Sequence, residues 1–130
     1  MQGGCLCGAV RYEVSTQPIT IANCHCGMCR RHSGAAFLTY AAYATNAFEI
    51  LSGRLTKYRS SNDAVRSHCQ SCGSPLTFSF DADESKIWVT AGSLDNADDV
   101  KPTENWYVDD KLDWIEVDLR LSSWPGAPPN

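Results

Sequence analysis

Seven cysteines, all held in three short clusters, constrain this chain of 130 residues more than any other feature. The clusters are Cys5-Leu6-Cys7-Gly8, Cys24-His25-Cys26-Gly27-Met28-Cys29 and Cys69-Gln70-Ser71-Cys72-Gly73. A disulfide framework would leave one thiol over, because the number is odd. Two zinc sites use all seven, four in one and three in the other. A closed structural site takes four protein ligands, whereas a reactive site keeps three and leaves one position free.

Spacing suggests which sulfurs belong together. On a strand, positions i and i+2 share a face, so Cys5 and Cys7 are expected to grip one ion. Cys69 and Cys72 form a knuckle whose Gly73 permits the backbone turn after the second ligand. Joining these pairs gives a four-thiolate site that clips distant parts of the chain together. Structural zinc of this type contributes ~10–16 kcal/mol of apparent binding energy. Cys24, Cys26 and Cys29 then make the second site, and a local triplet closes cheaply in loop entropy. Pairing the central cluster with one of the outer pairs is an alternative that spacing does not exclude. A further alternative adds His25, His32 or His68 as a fourth ligand, making both sites structural.

Three thiolates around Zn²⁺ give a centre of net charge −1, a poorer Lewis acid than a three-histidine zinc. A soft exogenous ligand suits such a centre, and a small-molecule thiol bound as thiolate is the natural candidate. A free position therefore favours thiol chemistry over hydrolysis.

The net charge of −4 gives no basic footprint for nucleic acid or an anionic membrane. No apolar run is long enough to span a bilayer. The first residues lack the pattern of a signal peptide, so a cytoplasmic, reducing location is expected, where thiols bind metal. The length fits one domain, residues 1–130.

Period-two patterns predict strands at residues 9–14, 19–22, 35–41, 48–51, 55–59, 76–80 and 87–91. Residues 64–68 run into the last thiol pair. Residues 42–46 and 81–85 read as turn and polar loop, and 30–33 as one helical turn stopped at Gly34. The end of the chain, from Ser122, is expected to be extended and partly loose. Trp88, Trp106, Tyr107 and Trp114 are read as core, and Arg54 and Arg66 as surface charges. Asp95, Asp98 and Asp99 are read as a solvated loop, lacking calcium-loop spacing. The expected class is mainly β, with antiparallel sheets, metal-tied loops and little helix.

Several of these runs resemble one known family. Cys24-His25-Cys26-Gly27-Met28-Cys29-Arg30 with Gly34-Ala35-Ala36-Phe37, and Gly4-Cys5-Leu6-Cys7-Gly8-Ala9-Val10-Arg11-Tyr12, are similar to motifs of the glutathione-dependent formaldehyde-activating (GFA) family. Gly53, Tyr58, Cys69-Gln70-Ser71-Cys72-Gly73-Ser74, Gly92-Ser93-Leu94-Asp95 and the stretch from Pro102 to Trp114 extend the resemblance. His68 stands where members often carry an aromatic, and Asn105 where many carry a histidine. The resemblance implies a Mss4-like fold of coiled β-sheets, a structural zinc on Cys5, Cys7, Cys69 and Cys72, and a labile zinc on Cys24, Cys26 and Cys29. It implies a carbon–sulfur lyase that joins glutathione to formaldehyde, giving S-hydroxymethylglutathione. Arg30 and Arg31 are candidates to steer the carboxylates of a peptide-like thiol, and equally read as solvated arginines at a helix end. Two other functions fit the same residues: a zinc-stapled binding module without catalysis, and a thiol-dependent enzyme acting on another electrophile.

Overall fold

The computed structural model describes residues 1–129. Short runs with every second side chain apolar have assembled into two sheets. Strand β2 (Arg11–Val14) shows the principle, burying Tyr12 and Val14 and leaving Arg11 and Glu13 partly solvated. It lies between β1 (Gln2–Gly4) and β5 (Phe48–Ser52) in a three-stranded antiparallel sheet.

The second sheet has eight strands. These are β3 (Thr20–Cys24), β4 (Leu38–Ala44), β6 (Leu55–Arg59), β7 (Ala64–Cys69), β8 (Pro75–Phe80), β9 (Asp83–Thr90), β10 (Glu104–Trp106) and β11 (Ser122–Ser123). Their spatial order is β11-β10-β3-β4-β9-β8-β7-β6. One α-helix, α1 (Gly27–Ser33), follows β3. The expected mainly β class with antiparallel sheets and little helix is what the structure shows. Two pairings depart from it: β10 runs parallel to both β3 and β11. Among the described residues no helix is long and apolar enough to cross a membrane.

The alternation of the central strands divides the interior in two. Ile21 of β3, Ala41 and Tyr43 of β4, and Val89 of β9 face a main core with Val10, Tyr12, Val14, Leu76, Leu94 and Val100. The intervening Cys24, Tyr40, Ala42 and Trp88 face the opposite side, where they form a second, aromatic cluster with Cys29. Neighbouring residues on one strand thus serve different cores, because successive side chains point to opposite faces. Burying a large apolar side chain contributes about 1.5–3 kcal/mol, so each cluster helps to hold the sheet in register.

Several expectations are corrected. Cys5, Leu6 and Cys7 lie in a turn after β1 rather than on a strand. Residues 42–44 continue β4, because Ala42, Tyr43 and Ala44 pair with Trp88, Ile87 and Lys86 of β9. Residues 83–85 already belong to β9, and the turn before it occupies only Asp81 and Ala82. The helix begins three residues earlier than expected, at Gly27. Trp114 is 72% exposed and contributes to neither core.

Residues 122–126 are held in place, and Asn130 lies outside the described residues. Ser122 and Ser123 pair with Glu104 and Asn105. The Trp124 amide donates to the Asn105 carbonyl at 2.9 Å, and its indole N–H donates to the Glu104 carboxylate at 3.2 Å. Asn105, buried to 1% exposure, accepts from the Asn23 amide at 3.1 Å and donates to the Asp118 carbonyl and the Ser123 hydroxyl, each at 3.2 Å. Its four-way polar side chain is satisfied on three sides, a role that an apolar residue could not fill.

Candidate metal centres

The seven thiols segregate into two groups. Cys5, Cys7, Cys69 and Cys72 place their sulfurs within 4.8 Å of one another, and so do Cys24, Cys26 and Cys29. All seven cysteines are free thiols, none joined in a disulfide. Among the described residues no histidine, carboxylate or further cysteine joins the triplet at that spacing.

The four-sulfur group sits against the main core, where Cys69 is buried and Cys5 and Cys72 pack on its rim. The Sγ of Cys7 lies 3.5 Å from that of Cys5 and 3.8 Å from that of Cys69. Sulfurs bound to one tetrahedral zinc at ~2.3 Å would stand ~3.8 Å apart, so the donor set fits that ion. Backbone amides already point at the sulfurs. Val10 donates to Cys5 at 3.2 Å, and Ser71 and Cys72 donate to Cys69 at 3.3 and 3.4 Å. Such donors favour the thiolate form. The Ser74 hydroxyl, 3.1 Å from the Cys72 sulfur, holds that thiol down to about 5. Gly73 has φ of +80°, which closes the knuckle by an amide bond of 2.9 Å to the Cys69 carbonyl. A side chain there would be strained.

The triplet is built by the end of β3 and the start of α1. Cys24 is the last residue of the strand, and Cys26 is the N-cap of the helix. The Cys26 sulfur accepts the Cys29 amide at 3.3 Å, the bond that a serine or aspartate makes at other helix starts. Hydrogen bonds from Cys24 and Cys29, with that amide, hold the Cys26 thiol down to about 2. The same hydrogen bonds and burial push Cys24 up. Three thiolates this close repel one another when no cation is present. A divalent ion removes the mutual repulsion, which is the behaviour of a ligand set.

Aromatic side chains wall the triplet. Tyr40 and Trp88 are buried beside it, and Leu38, Phe78, Trp106 and Tyr107 pack on the outside. Trp88 and Trp106 meet edge to face at 4.9 Å. Tyr107 adopts a left-handed backbone, φ 56° and ψ 44°, rare for a residue with a bulky side chain. Its amide donates to the Gly126 carbonyl at 3.1 Å, so the end of the chain holds this strained residue against the site.

The placement of the candidate residues is uneven. Arg31 lines a cleft of about 320 Å³ with Met28, His32, Tyr58, Ser60 and Arg66. No carboxylate lines that cleft. Arg30 is outside it, half-buried, with its Nε lacking a hydrogen-bond partner. His25 is 1% exposed and packs on Phe37 at 4.8 Å, and burial lowers its pKa. Burial and the Arg66 cation likewise keep His32 below the usual histidine range.

Arg66 overturns the expectation of a surface charge. It is 4% exposed, and its two terminal nitrogens lie 3.6 and 3.7 Å from the Cys29 sulfur. Its Nη1 donates to the Tyr40 hydroxyl at 3.0 Å and its Nε to the Ser60 hydroxyl at 3.2 Å, over the face of Phe78. No sequence signal separates Arg66 from Arg54 or Arg59. Its partners Tyr40 and Ser60 come from another strand and a loop.

The family model described as glutathione-dependent formaldehyde-activating enzyme matches residues 1–110. A protein of Schizosaccharomyces pombe named as an uncharacterized lyase is 24% identical over 93% of this chain and 88% of its own length. A protein of Halomonas elongata, provisionally named a glutathione-dependent formaldehyde-activating enzyme, is 27% identical over 92% of this chain and 82% of its own. A crystal structure of a Rhodobacter sphaeroides protein shares the fold, with a TM-score of 0.66 at 24% identity, covering 82% of this chain and 99% of that one.

Proposed function

Given that the chain belongs to the glutathione-dependent formaldehyde-activating enzyme family, we propose that it is a carbon–sulfur lyase joining a small thiol of the glutathione type to a formaldehyde-like aldehyde. In this reading Cys5, Cys7, Cys69 and Cys72 hold a structural zinc, and Cys24, Cys26 and Cys29 hold a reactive one. The observation that carries it is the inequality of the two groups: four sulfurs on the main core, and three in an aromatic wall, with Arg66 between Cys29 and a cleft without carboxylates.

Zinc on the triplet would supply a soft position for an exogenous thiol, favouring its thiolate form. The rest falls to the protein. Cys26 and Cys29 are fixed by the first turn of α1, so the three sulfurs keep one geometry. Trp88, Trp106 and Tyr107 exclude water from one side. Arg31 at the cleft offers a fork for a carboxylate of the thiol. Arg30, half-buried and outside the cleft, is left a weaker candidate for that contact. The reaction adds sulfur to the carbonyl carbon; the thiol proton ends on the carbonyl oxygen, and no oxidant or reductant is consumed.

The test is exchange spectroscopy by NMR on glutathione with formaldehyde, where the uncatalysed addition is the baseline. The zinc-loaded protein should accelerate exchange, and the C26S variant should return it to baseline with its fold kept. A wild-type protein holding two zinc ions without accelerating exchange would overturn this reading in favour of a binding module or an enzyme acting on another electrophile.

A further inference from the structure

The buried guanidinium of Arg66 is unlike the other ion-pairing arginines of the described chain. Arg11, Arg59 and Arg120 pair with Asp95, Asp81 and Asp118 at the surface. Arg66 is buried and, among the described residues, has no carboxylate partner. Tyr40 and Ser60 offer it neutral hydroxyls, and Phe78 its ring face at 4.7 Å. A buried cation without an anion is costly by several kcal/mol. Among its hydrogen-bond partners, the Cys29 sulfur is the one that becomes anionic when the triplet takes a metal. A zinc held by three thiolates carries net −1. Arg66 and the loaded triplet together sum to zero, and each removes the other's burial cost.

We propose that Arg66 is a positioning residue of the triplet centre: its guanidinium is the counter-charge and two-nitrogen donor to the Cys29 sulfur, and it sets how tightly the three sulfurs hold their metal. Tyr40 and Ser60 fix the plane of the guanidinium, which explains why a buried strand position carries arginine and not lysine. The proposal rests on the metal-site half of the function above and is independent of which thiol or aldehyde reacts.

The experiment reads metal and not turnover. Wild type, R66Q and R66K are loaded with Co²⁺ in place of zinc, and triplet affinity is measured by competition with a chromophoric chelator. The sulfur-to-cobalt absorption reports the geometry, and retention of the four-sulfur ion with the far-UV spectrum reports the fold. R66Q is expected to lose about tenfold to a hundredfold in affinity at the triplet alone, the usual cost of losing a partner behind a ligand. R66K should recover part of that loss with a displaced absorption band. If R66Q does not fold, R66K decides: a displaced band supports the assignment, and wild-type affinity with a wild-type band overturns it. R66Q folded and holding both ions as wild type does also overturns it. Loss of formaldehyde exchange with intact metal affinity in R66Q would leave the enzyme reading standing and remove this one.

Discussion

The sulfurs of Cys7 and Cys69 lie 3.8 Å apart although 62 residues separate them in the chain. Everything from β2 to β7 is thereby closed into one loop whose ends meet against the main core. An ion at this point would hold together segments with no other covalent tie. Replacing Cys72 by serine is expected to leave three ligands and a residual sulfur cluster in an open corner. The lost apparent binding, of order 10 kcal/mol, is comparable with the whole stability of a domain. C72S should therefore be unfolded at 25 °C by circular dichroism, and a strong chelator should produce the same state from the wild type. A folded C72S with one bound zinc would show that the core alone suffices.

The triplet should behave differently. Cys26 caps a helix of seven residues at the edge of the second cluster, and the main core does not depend on it. Serine at this position can still accept the Cys29 amide, so the helix start survives. C26S should bind one zinc where the wild type binds two, and melt within a few degrees of it. Metal analysis on the purified proteins with parallel thermal scans checks both halves.

The grouping of the thiols into four and three was legible in the residues because thiols are rare and their spacing is geometric. Strand positions followed equally from alternation, as at Tyr12 and Val14 or Ile87 and Val89. Three things were hidden. The burial of Arg66 depends on Tyr40, Ser60 and Cys29, which only the sheet order brings together. The ordering of Ser122 to Gly126 depends on a parallel pairing with β10, and parallel pairs need long connections that leave no local signature. The turn at Cys5 to Cys7 was misread because a spacing of two fits a strand as well as a turn.

That ordered end of the chain makes a prediction. Trp124 and Gly126 hold the backbone of Asn105, Tyr107 and Val108, and Tyr107 packs against the triplet. Ending the chain at Leu121 removes these bonds, each contributing about 0.5–1.5 kcal/mol. The truncated protein should lose roughly 2–4 kcal/mol in urea denaturation and keep both zinc ions. Its apparent affinity for the thiol should fall, because Tyr107 is freed from its strained backbone. An unchanged thiol dependence with lowered stability would show that Tyr107 has no part in the site.

Gly53 supplies a backbone test. It links β5 in one sheet to β6 in the other, with φ of +84°, and a Cβ there would overlap the Ala9 carbonyl oxygen. Alanine must move the Ala9 backbone, which lies between the first thiol pair and β2. G53A should cost on the order of 2 kcal/mol or more, beyond the ordinary penalty of ~1 kcal/mol for a left-handed residue. Chemical denaturation measures it, and a loss under 1 kcal/mol would mean that the two sheets can slide to make room.

Alkaline pH should destabilise the protein through Tyr12. The side chain is fully buried, and its hydroxyl meets the Ser93 hydroxyl at 2.6 Å. Burial raises its pKa well above the ordinary 10.0, because the phenolate cannot be solvated there. Since the folded value is the higher one, the unfolded chain releases its proton first as pH rises. Tyr12 therefore contributes its full stability below pH 10, and that contribution is lost progressively above it. Tyr40 and Tyr43, also raised by burial, act in the same direction. Urea midpoints measured from pH 8 to pH 11 should be flat at first and then fall. In Y12F the unfolding free energy at neutral pH should drop by about 1 kcal/mol for the lost hydrogen bond to Ser93. Its decline above pH 10 should be shallower, since one buried phenol no longer opposes ionisation. Parallel curves for the two proteins would show that Tyr12 ionises in the folded state as readily as in the unfolded one, against its burial beneath β1.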